Sequence, residues 1–337
     1  MSEHNSAARR GRPSRELVYE RLKVGITELW DRLGGLPLPA EAQDIWRGLW
    51  YEEAHHSTAI EGNTLVLKQV EALLEQGRAV GNKELAEYME VRGYADAADW
   101  VYNQASRPTA VSDRTIVTLA ELRQIHQMAI RPVWDVAPHP QATPREQPGS
   151  FREHDIQPFP GGMTPPSWPL IPAEITEWLE RANALDTAND GLVEELAGLH
   201  ATFEHIHPFL DGNGRTGRLV LNLVLVRLGY PPAIVYKRDR SKYLAALRRA
   251  DGGDPGALGE LLARSILDNL YRFVVPAVAG PARIVPLAAL ENDEISAAAL
   301  RTAANRGRLE ATRGQDGEWR SSKNWVDEYL ATRYRRS

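Results

Sequence analysis

With 337 residues, 43% of them hydrophobic, the chain is long enough for one large globular domain and a small appended one. It has no cysteine, which excludes a disulfide framework, a thiolate metal site and a thiol nucleophile. The formal net charge of -5 argues against a polyanion binder over the whole surface, although residues 1–15 carry four Arg against one Glu and residues 301–337 nine Lys/Arg against five Asp/Glu.

In chain order, the amino terminus is polar and arginine-rich, without the apolar stretch of a secretory signal. Residues 1–40 read as a basic arm followed by a first helix. Apolar positions three and four apart then recur, as for Leu85 with Met89 and Tyr88 with Val91, and the spacing predicts an all-α core. Helices are expected near residues 41–60, 115–130, 173–185, 193–206, 214–229, 241–250 and 257–275, with ends uncertain by about two to four residues. Residues 143–172 differ. Eight prolines and the pair Gly161-Gly162 suit a short β-hairpin-like flap. Pro276, Gly280, Pro281 and Pro286 punctuate the chain, and the composition becomes Arg-rich beyond them, so a boundary is expected near residue 280. No apolar run reaches the roughly 18 residues that cross a bilayer. The nearest, 219–236, is interrupted by Asn222, Arg227 and Pro231-Pro232, and a cytoplasmic chain with no membrane partner is expected by elimination.

The chemistry concentrates in residues 207–218. Pro208 and Gly212 force a turn between two helical patterns, giving helix, tight loop, helix. Backbone NH groups of Gly212, Asn213 and Gly214, with the positive end of the second helix, form a site for phosphate oxygens. Arg215 and Arg218 lie three apart and project toward the same anion. Asp211 is an oxygen ligand suited to Mg²⁺, which bridges a carboxylate to substrate phosphates. His207 is the natural base for an attacking hydroxyl. Three other readings stand beside this one. Gly-Asn-Gly is a turn with surface arginines; Gly212 to Gly217, with Thr216 and a later Asp239, matches the dinucleotide pattern G-x-G-x-x-G, which needs a preceding strand; or His200, Glu204 and His205 hold zinc. On its own terms, the segment Ser57-Thr58-Ala59-Ile60-Glu61-Gly62 is a helix end with Gly62 as its stop.

Residues 207–218, HPFLDGNGRTGR, resemble the full signature of the Fic family, H-P-F-x-D/E-G-N-G-R-x-x-R, without departure. The resemblance runs from about residue 45 to 275 and takes in Arg152 and Arg240-Ser241-Lys242-Tyr243. It implies a helical core over 41–280 that transfers AMP from ATP to a hydroxyl side chain of a protein. In that reading His207 deprotonates the hydroxyl, Asp211 holds Mg²⁺, Asn213 with the loop amides binds the α- and β-phosphates, and Arg215 and Arg218 hold the β- and γ-phosphates. Gly161, Gly162, Thr216, Gly217 and Tyr243 complete the expected nucleotide site, with Tyr243 a wall for the base. The family often adds a second aromatic and an Asn, where this chain has Leu244 and Asp251.

Beside such a motif, Ser57, Glu61 and Gly62 resemble the family's inhibitory segment S/T-x-x-x-E-G/N. Glu61 would pair in bidentate fashion with Arg218 and keep it from the γ-phosphate. The flap, at about 149–163, could pair its backbone with a target segment. Residues 281–337 resemble a winged helix-turn-helix of the excisionase type, through Ser296 to Arg301, Gly307-Arg308-Leu309, a hairpin from Gly314 to Trp319, and Trp325 to Tyr329. Its arginines suit DNA phosphates or a solvated docking unit equally. Arg10-Gly11-Arg12-Pro13 resembles the core of a minor-groove hook, against a plain basic arm. The expected partners are a protein substrate along the flap, DNA at the C-terminal unit and a second copy of the chain; the competing function is a DNA-binding regulator with a nucleotide-sensing core.

Overall fold

A computed structural model describes residues 13–39, 42–105, 115–157, 159, 162–314 and 316–333. Gly161 and the string Arg10-Gly11-Arg12 lie outside the described residues.

Helix α1 (Arg15–Leu33) starts where Leu17 N donates to Ser14 Oγ at 3.3 Å and stops at Gly34, whose φ of 82° closes the helix in the left-handed region. Then follow α2 (Gln43–Glu61), α3 (Leu67–Gln76), α4 (Leu85–Ala105) and α5 (Leu119–Val136). α5 opens on a reciprocal cap. Glu121 N donates to Thr118 Oγ1 at 3.2 Å and Thr118 N returns a bond to Glu121 Oε2 at 3.0 Å. α4 and α5 cross closely at Gly93, where a Cβ would stand 2.5 Å from Ala129 O.

α6 (Ile171–Asn183), α7 (Leu192–Ile206), α8 (Asn213–Arg227), α9 (Arg240–Asp251) and α10 (Gly256–Asn269) complete the core. α10 runs through a widened π turn at Leu270–Val274 into α11 (Val275–Val278), so the periodicity read as one helix over 257–275 is three joined pieces. α8 is the centre of the molecule: every residue from Arg215 to Val226 is buried, with α2, α4, α5 and α7 packed around it. A helix enclosed on all sides carries apolar residues on all sides, and 219–226 does so except at Asn222. The sequence pattern missed α3, a short helix without a capping hydroxyl.

The expected helical core is present, but the described residues of the flap form no strand. The flap's prolines remove donors that a ladder needs, and it is fastened by its own Arg152 and by His126 of α5. The three-stranded antiparallel sheet lies instead in the C-terminal segment: β1 (Val285–Pro286), β2 (Thr312–Arg313) and β3 (Trp319–Ser321), in the order β1-β3-β2, with Val285 opposite Ser321 and Thr312 opposite Arg320. With α12 (Ala297–Asn305) and α13 (Lys323–Thr332) it surrounds a separate apolar cluster of Leu287, Ile295, Leu300, Leu309 and Val326. A second cluster, including Leu29, Leu270, Val274, Val285 and Ala289, joins this segment to α1 and to the turn after α10. Arg320 adds an ion pair to α1, its Nη1 lying 2.8 and 2.7 Å from the two oxygens of Glu28, while Nη2 donates to Asp316 Oδ2 at 3.0 Å.

Candidate active site

The loop between α7 and α8 is built by its own residues. Asn213 Oδ1 accepts from Phe209 N at 2.9 Å and Asn213 Nδ2 donates to Phe209 O at 2.8 Å, which closes the turn. The side chain expected to reach phosphates is therefore spent on the loop, and the Gly212 amide, also expected there, donates to Asp211 Oδ1 at 2.6 Å. Gly212 has φ 78°, and a Cβ there would come within 2.3 Å of Ile130 Cδ1, so only glycine fits. His207 ends α7 in the left-handed region at φ 48°, a conformation that costs a side-chain-bearing residue roughly 1 kcal/mol and is held here by the surrounding contacts.

Two buried side chains fasten the flap to this loop. Arg152, 1% exposed, donates from Nε to His207 O at 2.9 Å, from Nη1 to His154 O at 2.9 Å and from Nη2 to Pro166 O at 2.6 Å. His126 Nδ1 accepts from Gly149 N at 2.7 Å, which fixes the proton on Nε2, and Nε2 donates to Asp211 O at 2.9 Å. Its ring also stacks on Phe209 at 3.7 Å. Burial pushes His126 down to about 4, so it stays neutral as this geometry requires.

His207 has a comparable arrangement. Nδ1 is 3.1 Å from Glu204 O; a carbonyl only accepts, so Nδ1 carries the proton and Nε2 keeps its lone pair. Burial, with the nearby Arg152 charge, pushes the ring down to about 4. It lines a cavity of about 450 Å³ together with Glu61, Arg218, Tyr243, Gly162 and Phe159, whose ring meets His207 edge-on at 4.9 Å. Tyr243 is 1% exposed and shares a 2.7 Å hydrogen bond with His200 Nε2, so it is a fixed wall. Leu244, where a second aromatic was expected, lines the same cavity, and Asp251 pairs with His205 Nδ1 at 2.7 Å.

The two motif arginines differ. Arg218, 4% exposed, donates from Nη2 to Glu61 Oε1 at 2.7 Å, from Nε to Ser57 Oγ at 2.7 Å and from Nη2 to Ser57 O at 3.0 Å. The pair with Glu61 is thus a single contact; the expected bidentate fork is absent, and Ser57 takes Nε and shares Nη2 with Glu61. Desolvation would raise the Glu61 carboxyl, but Arg218 brings it below its ordinary value. Gly214 makes room for this: a Cβ there would stand 2.5 Å from Glu61 Oε1, so the carboxylate sits against the first turn of α8, where an anion is favoured. Gly62, at φ 116°, ends α2 directly after it. Arg215 instead donates from Nη1 toward Glu90 Oε1 at 2.8 Å and from Nη2 to Asp211 Oδ1 and Oδ2 at 3.1 and 3.0 Å. Asp211 and Arg215 lie outside the cavity lining. Gly217 lies against Glu204, whose Oε1 a Cβ would meet at 2.5 Å, and Thr216 is fully buried.

Among the described residues no group of three or more His, Asp or Glu side chains could hold a metal, which removes the zinc reading of His200, Glu204 and His205. Asp211 alone, 45% exposed, fits a cation whose other ligands are phosphate oxygens and water, the usual Mg²⁺ pattern. The dinucleotide reading also falls, because α7 rather than a strand precedes the loop.

Sequence reading missed Glu53, Glu90 and His126. Buried Glu53 on α2 accepts from Tyr94 and Asn222 at 2.8 Å each, and from Tyr102, tying α2 to α4 and α8. Its signal was a charge on the apolar stripe of Trp46, Leu49 and Ile60.

A helical fold around this tight loop matches known proteins. Residues 116–225 match the model of the Fic/DOC family, and the chain belongs to that family. It is 31% identical over 245 residues to Protein adenylyltransferase Fic of Drosophila grimshawi, covering 71% of this chain and 46% of the relative. With the corresponding protein of Drosophila persimilis the identity is 31% over 210 residues, 61% of this chain and 37% of the relative. The chain thus spans less than half the length of these curated relatives. Among solved structures it is similar to Fic-1 (residues 134–508) of C. elegans, with TM-score 0.60 and 25% identity over 77% of this chain and 72% of that one. It is also similar to a Fic domain containing signaling protein of Bacteroides thetaiotaomicron, with TM-score 0.57 and 25% identity over 75% and 96%.

Proposed function

We propose that this chain transfers AMP from ATP to a hydroxyl side chain of a protein and that Glu61 holds the reaction off at rest. One observation carries the reading: the unprotonated Nε2 of His207 and the captured guanidinium of Arg218 line one cavity. The target oxygen attacks the α-phosphorus while its proton passes to His207 Nε2. The bond to the bridging oxygen breaks and pyrophosphate leaves. The loop amides and α8 dipole stabilise the charge on the α- and β-phosphates. Arg218, once free of Glu61, reaches the γ-phosphate. Asp211 would hold Mg²⁺, whose chemistry is to neutralise the phosphate oxygens. Gly162 and Tyr243 flank the nucleotide, and the flap receives the target segment.

While Glu61 occupies the first turn of α8, a triphosphate meets a carboxylate in place of an arginine. Relatives named adenylyltransferases at about 30% identity support the reaction class. We assign residues 281–337 to an appended docking unit for protein or DNA, since it has its own apolar cluster and exposes Arg301, Arg306, Arg308 and Arg313. No helix among the described residues is long and apolar enough to cross a membrane, and we place the protein in the cytoplasm, where ATP is abundant. The test is incubation with α-labelled ATP and Mg²⁺: protein-bound label that disappears with His207→Ala supports transfer. Absence of label in every form, with salt-sensitive DNA binding by the full chain, would favour a regulator instead.

A further inference from the structure

Arg215 divides its guanidinium between two acids. Nη1 is 2.8 Å from Glu90 Oε1, Nη2 meets both oxygens of Asp211, and the buried Nε has no partner. The other oxygen of Glu90, Oε2, is occupied: Asn63 Nδ2 donates to it at 2.8 Å and to Glu87 O at 2.9 Å. Asn63 directly follows Gly62, and its own N donates to Thr58 O at 3.1 Å in the last turn of α2. A displacement of Glu61 that unwinds this turn therefore also moves Asn63.

We propose that Asn63, Glu90, Arg215 and Asp211 form a relay that couples the Glu61 brake to the cation-binding carboxylate, with Glu90 the positioning residue for Asp211. The inference rests on the proposed function for the roles of Glu61 and Asp211, and adds a route between them. With Asn63 in place, Glu90 offers Arg215 Nη1 one oxygen, and Arg215 turns Nη2 to Asp211. When Asn63 departs, Glu90 presents both oxygens, and the planar guanidinium prefers the two-pronged pair. Arg215 then leaves Asp211, whose Oδ2 becomes available to Mg²⁺ while Oδ1 keeps the bond from Gly212 N at 2.6 Å. Release of the brake thus frees Arg218 for phosphate and Asp211 for metal together.

The two links have opposite signs, which makes the relay testable without catalysis. Binding of a non-transferable α,β-methylene analogue of ATP to the full chain is followed by calorimetry across a Mg²⁺ titration, for wild type, Asn63→Ala, Glu90→Gln and Glu61→Gly. Asn63→Ala should lower the Mg²⁺ midpoint by about tenfold, the scale of one charge-assisted hydrogen bond. Glu90→Gln should raise it by about tenfold, because the whole Arg215 charge then falls on Asp211. Affinity for the metal-free analogue should be unchanged in both variants, which a direct phosphate contact by Arg215 would not allow. Midpoints that move in the same direction, or not at all, overturn the relay while leaving the nucleotide site intact. Failure of every form, Glu61→Gly included, to bind the analogue at any Mg²⁺ concentration overturns both the site and the relay. Thermal unfolding of each variant confirms folding, and Asn63→Ala keeps the test decisive if Glu90→Gln does not fold.

Discussion

Residues 207–218 and residues 57–63 meet at one ion pair, yet they are organised by different physics. The first segment is self-contained: Asn213 bonds to Phe209 four residues earlier, Gly212 supplies the left-handed turn, and α8 begins at once. The second is an ordinary helix end closed by a glycine, and its significance comes from where α2 is packed. Glu53 fixes α2 against α4 and α8, which brings Ser57 and Glu61, one and two turns further along, onto Arg218. A motif made of local contacts can be read from a chain; a contact between residues 157 positions apart cannot, except by resemblance.

The largest expected effect strikes the self-contained segment. His207→Ala removes the base and should lower label transfer by about a thousandfold, the usual worth of a positioned general base. Retention of the folded thermal midpoint, read by circular dichroism, separates this from collapse. A smaller effect strikes the packing behind the second segment. Glu53→Ala leaves the hydroxyls of Tyr94 and Tyr102 and the amide of Asn222 without their shared acceptor, and should cost about 3 kcal/mol in denaturant unfolding. A change within error would mean that α2 is held by its apolar face alone.

Smaller again, Ser57→Ala removes the acceptor of Arg218 Nε while leaving Glu61 in place, and should speed transfer about fivefold, as befits one hydrogen bond. Slower transfer in that variant would make Ser57 part of the working site rather than of its restraint. The least movement is expected from pH. Burial holds His207 near 4 rather than 6.5, so the folded base stays neutral as pH falls through 6.5, and the rate of an unbraked form should hold until about 4. Stability, in contrast, declines across that window, since the unfolded histidine takes up a proton that the folded one refuses. A rate inflection near 6.5 would show that Nε2 is exposed to bulk water.

Much of this was legible in the sequence. The helical core and the turn at Pro208 and Gly212 follow from local periodicity and residue chemistry, whereas Arg215 and Arg218, expected to face one anion, turn to different carboxylates, Arg215 to Glu90 and Asp211 and Arg218 to Glu61. Other parts were not. Arg152 was noticed, but its burial beneath the loop depends on the carbonyls of His207, His154 and Pro166 converging on it. His126 and Glu90 sit on α5 and α4 with nothing in their neighbourhoods to mark them, because their partners lie on other elements. Proline and glycine in the flap suggested a hairpin, whereas its described backbone is secured by its own Arg152 and by His126 of α5. Asn213 was assigned to phosphate because its type allows it, yet the fold uses its side chain to close the loop.

The most direct test of the braked-transfer account is the initial rate of protein labelling from α-labelled ATP and Mg²⁺ by Glu61→Gly, set against wild type at equal concentration. Release of Arg218 predicts a rise of about tenfold or more, the scale of one buried charge-assisted contact, and its abolition when His207→Ala is added. Equal rates in wild type and Glu61→Gly would contradict it, and would leave the 2.7 Å contact between Glu61 and Arg218 as packing alone.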